Sequence, residues 1–345
     1  MTVLLVVLPV LLPTPASADP QVRCTLEDAR LAEVSGLVEG PEGPQVVNDS
    51  GNPSTVFRLD GACAVVGLRA VPVDGRDVED LARRADGTLW IADIGDNGRR
   101  RSSVAVLRLD PDGGEVVTRL AYPDGGHDAE SLLMPGDDRP VIVTKDLGGR
   151  SGIYVADDPV GEEPALTPRP LRRAGEVVVP GEALTDLGAG SYTGGAISSD
   201  GRVVALRTYA DAWLYAAPHG TASAEDVVAA LQGPPVRVPL PGEIQGEAIA
   251  FTPDGSLLSA GETPAAREPA ALRVVPGAAG LVDSGAPAPS PAPTAAPMAV
   301  PMAVPTPERV GLPGPLLTLG AVLLAGAVGA AVVALMGRGR RRGGG

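Results

Sequence analysis

The sequence predicts an all-β fold, a β-propeller of five blades, followed by one C-terminal transmembrane helix. Three observations predict it. A phrase of two short apolar strands recurs five times, Asp-Gly turns fall at matching places in three of the copies, and one long uncharged run lies near the C-terminus.

The five copies read VSGL…QVVNDSG, DVEDLA…DGTLWIADIGDN, HDAESLL…PVIVTKD, TGGAISSDGRVVALRTYAD and QGEAIAFTPDGSLLSAGE. Asp86-Gly87, Asp200-Gly201 and Asp254-Gly255 join the paired strands, and Asp-Gly between apolar runs is a strong hairpin signal. Further β-type runs such as VAVLRLD and EVVTRLAYP follow the pair in the second copy. The spacing of roughly 45–65 residues then allows about four strands per copy, the size of a propeller blade. A degenerate sixth copy around residues 165–190 leaves six blades open, and a pair of β-sandwiches is the runner-up. Ala224–Leu231, AEDVVAAL, reads as a short helix inserted in the fourth blade. Trp90 and Trp213 sit in largely apolar strands and are expected to fill space between blades rather than line a rim.

The two ends set the address. Residues 1–18 are an apolar run closed by Ala16-Ser17-Ala18, the pattern of a cleaved secretory signal, although its usual positive start is missing and the true start of the chain stays open. Residues 19–280 form the expected ectodomain. Residues 281–311 are dominated by Pro and Ala and read as an extended stalk. Residues 312–337 contain a 21-residue uncharged stretch from Leu316 to Met336, which as a helix spans ~31 Å and matches a bilayer core. Residues 338–345 are a basic tail, which the positive-inside rule puts in the cytoplasm. A cell-wall sorting signal would need an LPxTG-type motif, and Leu312-Pro313-Gly314-Pro315 lacks its Thr-Gly pair. The expected location is the cell membrane, single-pass, with the ectodomain outside.

Composition narrows the partners. The net charge is −14, and four arginines at the extreme C-terminus make the rest more acidic still. Such a surface repels phosphate backbones, so nucleic acid is not an expected partner. Cys24 and Cys63 are the two cysteines, and in an oxidising compartment an even pair is most simply a disulfide, here stapling the N-terminal segment to the first repeat.

The phrases DVEDLA, WIADIGDN, HDAESLL and GEAIAF resemble secreted bacterial β-propellers of the phytase-like esterase and NHL type, over about residues 24–276. That resemblance implies a propeller fold and, in several relatives, calcium in or near the channel.

Aligning the copies puts Ser35, Glu79, Glu130, Gly195 and Glu247 at the start of the innermost strands. Asp49, Asp93, Lys145, Arg207 and Glu262 fall at the end of the strands that follow, with Asp77, Asp80, Asp96 and Asp128 beside them. Carboxylates gathered in one funnel repel unless a cation or protons compensate. Hard oxygen donors favour calcium over zinc, which would want the His or Cys this chain scarcely has. Glu79, Glu130 and Glu247 are therefore the expected metal set. Glu79, Asp93, Glu130, Lys145, Arg207, Glu247 and Glu262 are the expected ligand-binding set. The competing reading pairs Lys145 and Arg207 with these acids internally. His127, Lys145 and Arg207 are the catalytic candidates, though His127 need not face the same way as Glu130. No nucleophile elbow, Walker or dinucleotide fingerprint is present. The expected function is a ligand- or partner-binding module with an acidic central funnel, the alternative being a calcium-dependent phosphatase or esterase.

Overall fold

The computed structural model describes residues 19–49, 51–71, 75–181, 190–243, 245–263 and 269–283. All belong to one compact unit of the chain. The signal, helix and basic tail expected at 1–18, 312–337 and 338–345, and nearly all of the stalk, lie outside the described residues. Among the described residues no helix is long and apolar enough to cross a membrane.

The described residues form five antiparallel meanders of four strands. The first is β2 (Val34–Gly40), β3 (Gly43–Asn48), β4 (Thr55–Leu59) and β5 (Val65–Ala70). The second is β6 (Val78–Arg83), β7 (Leu89–Asp93), β8 (Val104–Leu109) and β9 (Glu115–Ala121), and the third is β10 (Ala129–Leu133), β11 (Val141–Thr144), β12 (Arg150–Ala156) and β13 (Ala165–Val178). The fourth is β14 (Tyr192–Ile197), β15 (Val203–Thr208), β16 (Asp211–Ala216) and β17 (Val236–Pro239). The fifth holds β18 (Gly246–Phe251), β19 (Leu257–Gly261) and β20 (Ala271–Val275), completed by the N-terminal strand β1 (Gln21–Thr25) against β20. A parallel pairing of β13 with β9 merges the second and third meanders into one eight-stranded sheet.

The first strands of the meanders touch in a closed cycle, β2 to β6 to β10 to β14 to β18 and back to β2. This is a propeller-like ring of five blades. Residues 165–178 are the outer strand of the third blade, so the sixth copy suspected there is a correction to the repeat count.

Five separate apolar clusters hold the ring, one in each gap between neighbouring blades. Val47, Leu81 and Ile91 fill the first gap. Trp90, Ile142 and Tyr154 fill the second, and Trp213, Leu206 and Val155 the third. Leu214, Ile249 and Leu257 fill the fourth, and Leu37, Phe57 and Leu258 close the fifth. Both tryptophans are thus packing residues, as expected. The helix at Ala224–Leu231 forms where the sequence predicts it, opened by a reciprocal Ser223–Asp226 cap, and it lays Val227 and Leu231 over the third gap.

Ring closure is also covalent. Cys24 on β1 and Cys63 in the β4–β5 turn form a disulfide that ties the last blade to the first. The three Asp-Gly turns share one design. Asp86, Asp200 and Asp254 each accept the N–H two residues on, while Gly87, Gly201 and Gly255 take positive φ angles.

Candidate acidic mouth

Every innermost strand carries a β-bulge at the same level. The register slips between Val34 and Gly36, Val78 and Asp80, Ala129 and Ser131, Tyr192 and Gly194, and Gly246 and Ala248. The extra residues are Ser35, Glu79, Glu130, Thr193 and Glu247. A bulge leaves its extra residue outside the ladder and re-aims its side chain, so five blades present one side chain each at one end of the axis. Thr193, not Gly195, is the fourth member, which corrects the aligned register by two residues. Thr193 and Ser35 bond across to the next blade, Thr193 to the Gly246 carbonyl at 2.8 Å and Ser35 to the Glu79 carbonyl at 2.7 Å.

The three glutamates are almost wholly buried, 2–4% exposed. Oxygens of Glu79, Asp128 and Glu130 lie within 4.8 Å of one another, and so do those of Asp49, Asp77 and Glu79. Of the expected metal set, Glu79 and Glu130 thus share a cluster with Asp128, while Glu247 lies beside Glu130 as its strongest charged neighbour. Lys145 Nζ pairs with Glu130 Oε1 and stands 5.4 Å from the Tyr209 ring centre. Glu130 Oε2 and Glu247 Oε2 are sealed from solvent and have no hydrogen-bond partner among the described residues. Glu262 is half-buried, accepting from the Gln245 side chain at 2.5 Å.

Electrostatics follow from this crowding. Burial first, then repulsion from Glu130, Asp49 and Asp77, drives the Glu79 carboxyl well up. Burial and the neighbouring Glu247 do the same to Glu130, against the pull of Lys145. Burial lifts Glu247 to about 8, although Lys145 opposes it, and lifts Glu262 to about 7 with help from Asp49 and Glu33. Burial disfavours the Lys145 ammonium, but Glu130 and Glu247 outweigh it and hold its pKa above the ordinary value. The Lys145 ammonium acts on Glu79, Glu130, Glu247 and Glu262 together, and Arg207 also favours the ionised Glu247, yet all four carboxyls stay shifted upward.

Two expected ligand residues prove structural. Arg207 is completely buried and bonds to Glu243, Ser259 and the Ala248 and Ala260 carbonyls at 2.9–3.1 Å, clamping the fourth blade to the fifth. It is a correction both as a ligand and as a catalytic candidate. Asp93 accepts the backbone N–H groups of Arg76 and Asp77 and pairs with Arg101 at 2.9 Å. It shapes the loop that carries Asp77. His127 lies apart from the acids, its Nε2 3.0 Å from both Asp124 Oδ1 and the Tyr154 hydroxyl, in an arrangement that Tyr122 flanks edge-on.

Asp80, only placed beside the funnel by its sequence, spans the axis. Its carboxylate accepts the N–H groups of Leu81 on its own strand, Leu132 on β10 and Gly195 on β14, at 2.8, 2.8 and 3.1 Å. Burial raises its pKa against these three bonds. The bridge ties the second, third and fourth blades together at the axis.

No family model and no curated protein matches the chain. Among solved structures it is similar to a gluconolactonase from Xanthomonas campestris (15% identity, 71% of this chain and 73% of that one, TM-score 0.41). It is also similar to virginiamycin B lyase from Staphylococcus aureus (12%, 70% and 67%, 0.35) and to the PQQ-bound aldose sugar dehydrogenase of Streptomyces coelicolor (13%, 74% and 98%, 0.39). Likeness at this level leaves the fold to rest on the chain's own strand pairing and the function to rest on its own residues.

Proposed function

We propose that the acidic mouth binds a hard divalent cation, calcium by its chemistry, and recognises an extracellular ligand through it. The carrying observation is the convergence of Glu79, Asp128 and Glu130 within 4.8 Å, with Glu130 Oε2 buried and without a hydrogen-bond partner among the described residues. All the donors are carboxylates, the set that suits a hard cation, and neither His127 nor His219 stands among them to favour zinc. A cation here would supply the positive charge that Lys145 by itself cannot. In this reading the chain is exported and anchored by the helix at 312–337. The oxidised Cys24–Cys63 pair suits that compartment, and kinship with the phytase-like esterase and NHL-type propellers rests on the phrases DVEDLA and GEAIAF.

Calorimetric titration of the purified chain with calcium tests the reading. One saturable site and a raised melting temperature are expected, both lost in Glu79→Gln and Glu130→Gln; no heat and no thermal shift in the parent would end it.

A second reading, a calcium-dependent hydrolase of phosphate or carboxylic esters, is favoured by one observation. Glu247 and Glu262, at about 8 and about 7, can each hold or release a proton near neutral pH, as general acid–base work requires. A bound cation would supply the electrophile, with Lys145 beside it to hold an anionic oxygen. Turnover of a phosphomonoester or aryl ester that chelation abolishes would select this reading over simple binding.

A further inference from the structure

The face of the ring opposite the acidic mouth carries two adjoining cavities. On the axis, a pocket of about 380 Å3 is walled by Leu37, Leu81, Leu132, Met134, Ile197 and Phe251. Two residues that line it, Leu132 and Gly195, are the ones whose N–H groups Asp80 holds, so the bridged level of the axis borders its inner end. Beside it, between the first and second blades, a cleft of about 540 Å3 is lined by Arg58, Arg69 and Arg83. Arg83 lines both cavities.

Only one of these arginines is held by a carboxylate among the described residues. Arg58 pairs with Glu42 at 2.6 Å. Arg69 is half-buried, and no carboxylate pairs with it among the described residues. Arg83 is half-buried, its guanidinium lying beside Gly40 of the first blade and Gly87 of the second, and no carboxylate pairs with it among the described residues. Of the two acids lining the cleft, Glu42 is held by Arg58, and Asp86 accepts the Thr88 N–H at 2.9 Å. Two guanidinium groups lining one cleft without carboxylate partners repel each other. An oxyanion between them relieves that repulsion. A carboxylate suits a single planar fork, whereas a tetrahedral phosphoryl group offers oxygens to two guanidinium groups on different blades.

We propose that this face binds a phosphate monoester with an apolar body, the phosphoryl group on Arg69 and Arg83 and the apolar part in the axial pocket. The site is independent of the cation site, which lies beyond the Asp80 bridge.

Calorimetric titration of the purified chain at low ionic strength, with EDTA present throughout, tests it using octyl phosphate, inorganic phosphate and octanol as probes. Octyl phosphate is expected to bind one-to-one and about tenfold or more tighter than either fragment. Arg69→Gln and Arg83→Gln are each expected to weaken it about tenfold or more, because a charge-assisted fork is lost, and Arg83→Lys to recover only part. Both residues are half-buried, and an unchanged melting temperature in the variants shows the fold intact. Octyl phosphate binding no tighter than inorganic phosphate, or binding equally well to the arginine variants, overturns the proposal.

Discussion

Raising the pH in the absence of a divalent cation should destabilise this protein over a range where most acidic proteins are indifferent. Glu247 ordinarily ionises near 4.5 but in the folded chain does so at about 8, with burial the main cause. Between those values the unfolded chain has released a proton that the folded chain still holds. Stability therefore falls as pH rises through this window, by about 1.4 kcal/mol per pH unit for one such group. Taken to completion, Glu247 by itself accounts for a loss on the order of 5 kcal/mol, and for a chain of this size that is a drop on the order of 10 °C in melting temperature. Glu79, Glu130 and Glu262 are shifted in the same direction. The carboxyls held low by local bonds, such as Asp86 with Thr88 and Asp254 with Thr252 and Ser256, lose their contribution only in more acidic solution and leave the window clear. The assay is thermal unfolding from pH 5 to 9 in EDTA, for the parent and for Glu247→Gln. The parent melting temperature should fall with pH, the variant should fall less steeply, and millimolar calcium should flatten the parent curve. A melting temperature that stays level or rises through pH 5–8.5 would refute the reasoning.

Other perturbations follow from named contacts. Lys145→Met strips Glu130 of its buried partner and should cost about 3–5 kcal/mol in EDTA, with calcium recovering most of it; urea melts with and without calcium decide. Asp80→Ala leaves the N–H groups of Leu81, Leu132 and Gly195 without their acceptor and should cost about 3 kcal/mol or more, whereas Asp80→Asn, which keeps an acceptor oxygen, should cost clearly less. Equal losses in the two would show that the bridge is unimportant. Reducing Cys24–Cys63, which closes a loop of 39 residues, should lower stability by about 4 kcal/mol as the first and last blades lose their covalent tie; an unchanged denaturation midpoint would contradict that.

Much of the ring was legible because each blade repeats its local chemistry. The Asp-Gly turns announced three inner hairpins, and alternating short apolar runs supplied the strands. The register was readable too, by a count that alignment of phrases alone did not use. A residue with positive φ stands eight positions after every bulge: Gly43 after Ser35, Gly87 after Glu79, Asp138 after Glu130, Gly201 after Thr193 and Gly255 after Glu247. Counting back from Gly201 gives Thr193 where alignment on TGGA gave Gly195. The bulge also explains why simple alternation could not tell which way His127 and Glu130 face, since it breaks the period of two between them.

What escaped the sequence depends on contacts between blades. Arg207 has the same local setting as Lys145, at the end of a second strand, yet two positions of register turn it into the gap against Glu243 and Ser259. Lys145 instead follows its strand and reaches Glu130. Asp80 looks like one more acid in an acidic chain, and only the closure of β6, β10 and β14 around the axis gives it three donors. Asp128 joins Glu79 and Glu130 because the loop preceding β10 sets it beside them, its Oδ1 accepting the Asp96 N–H at 2.9 Å.

The most direct measurement is a crystal of the chain grown at neutral pH, soaked in calcium and read by anomalous scattering. A peak enclosed by the carboxylates of Glu79, Asp128 and Glu130 is the predicted result. An empty mouth with Lys145 still on Glu130, or calcium lodged only on exposed acids elsewhere, would contradict the account.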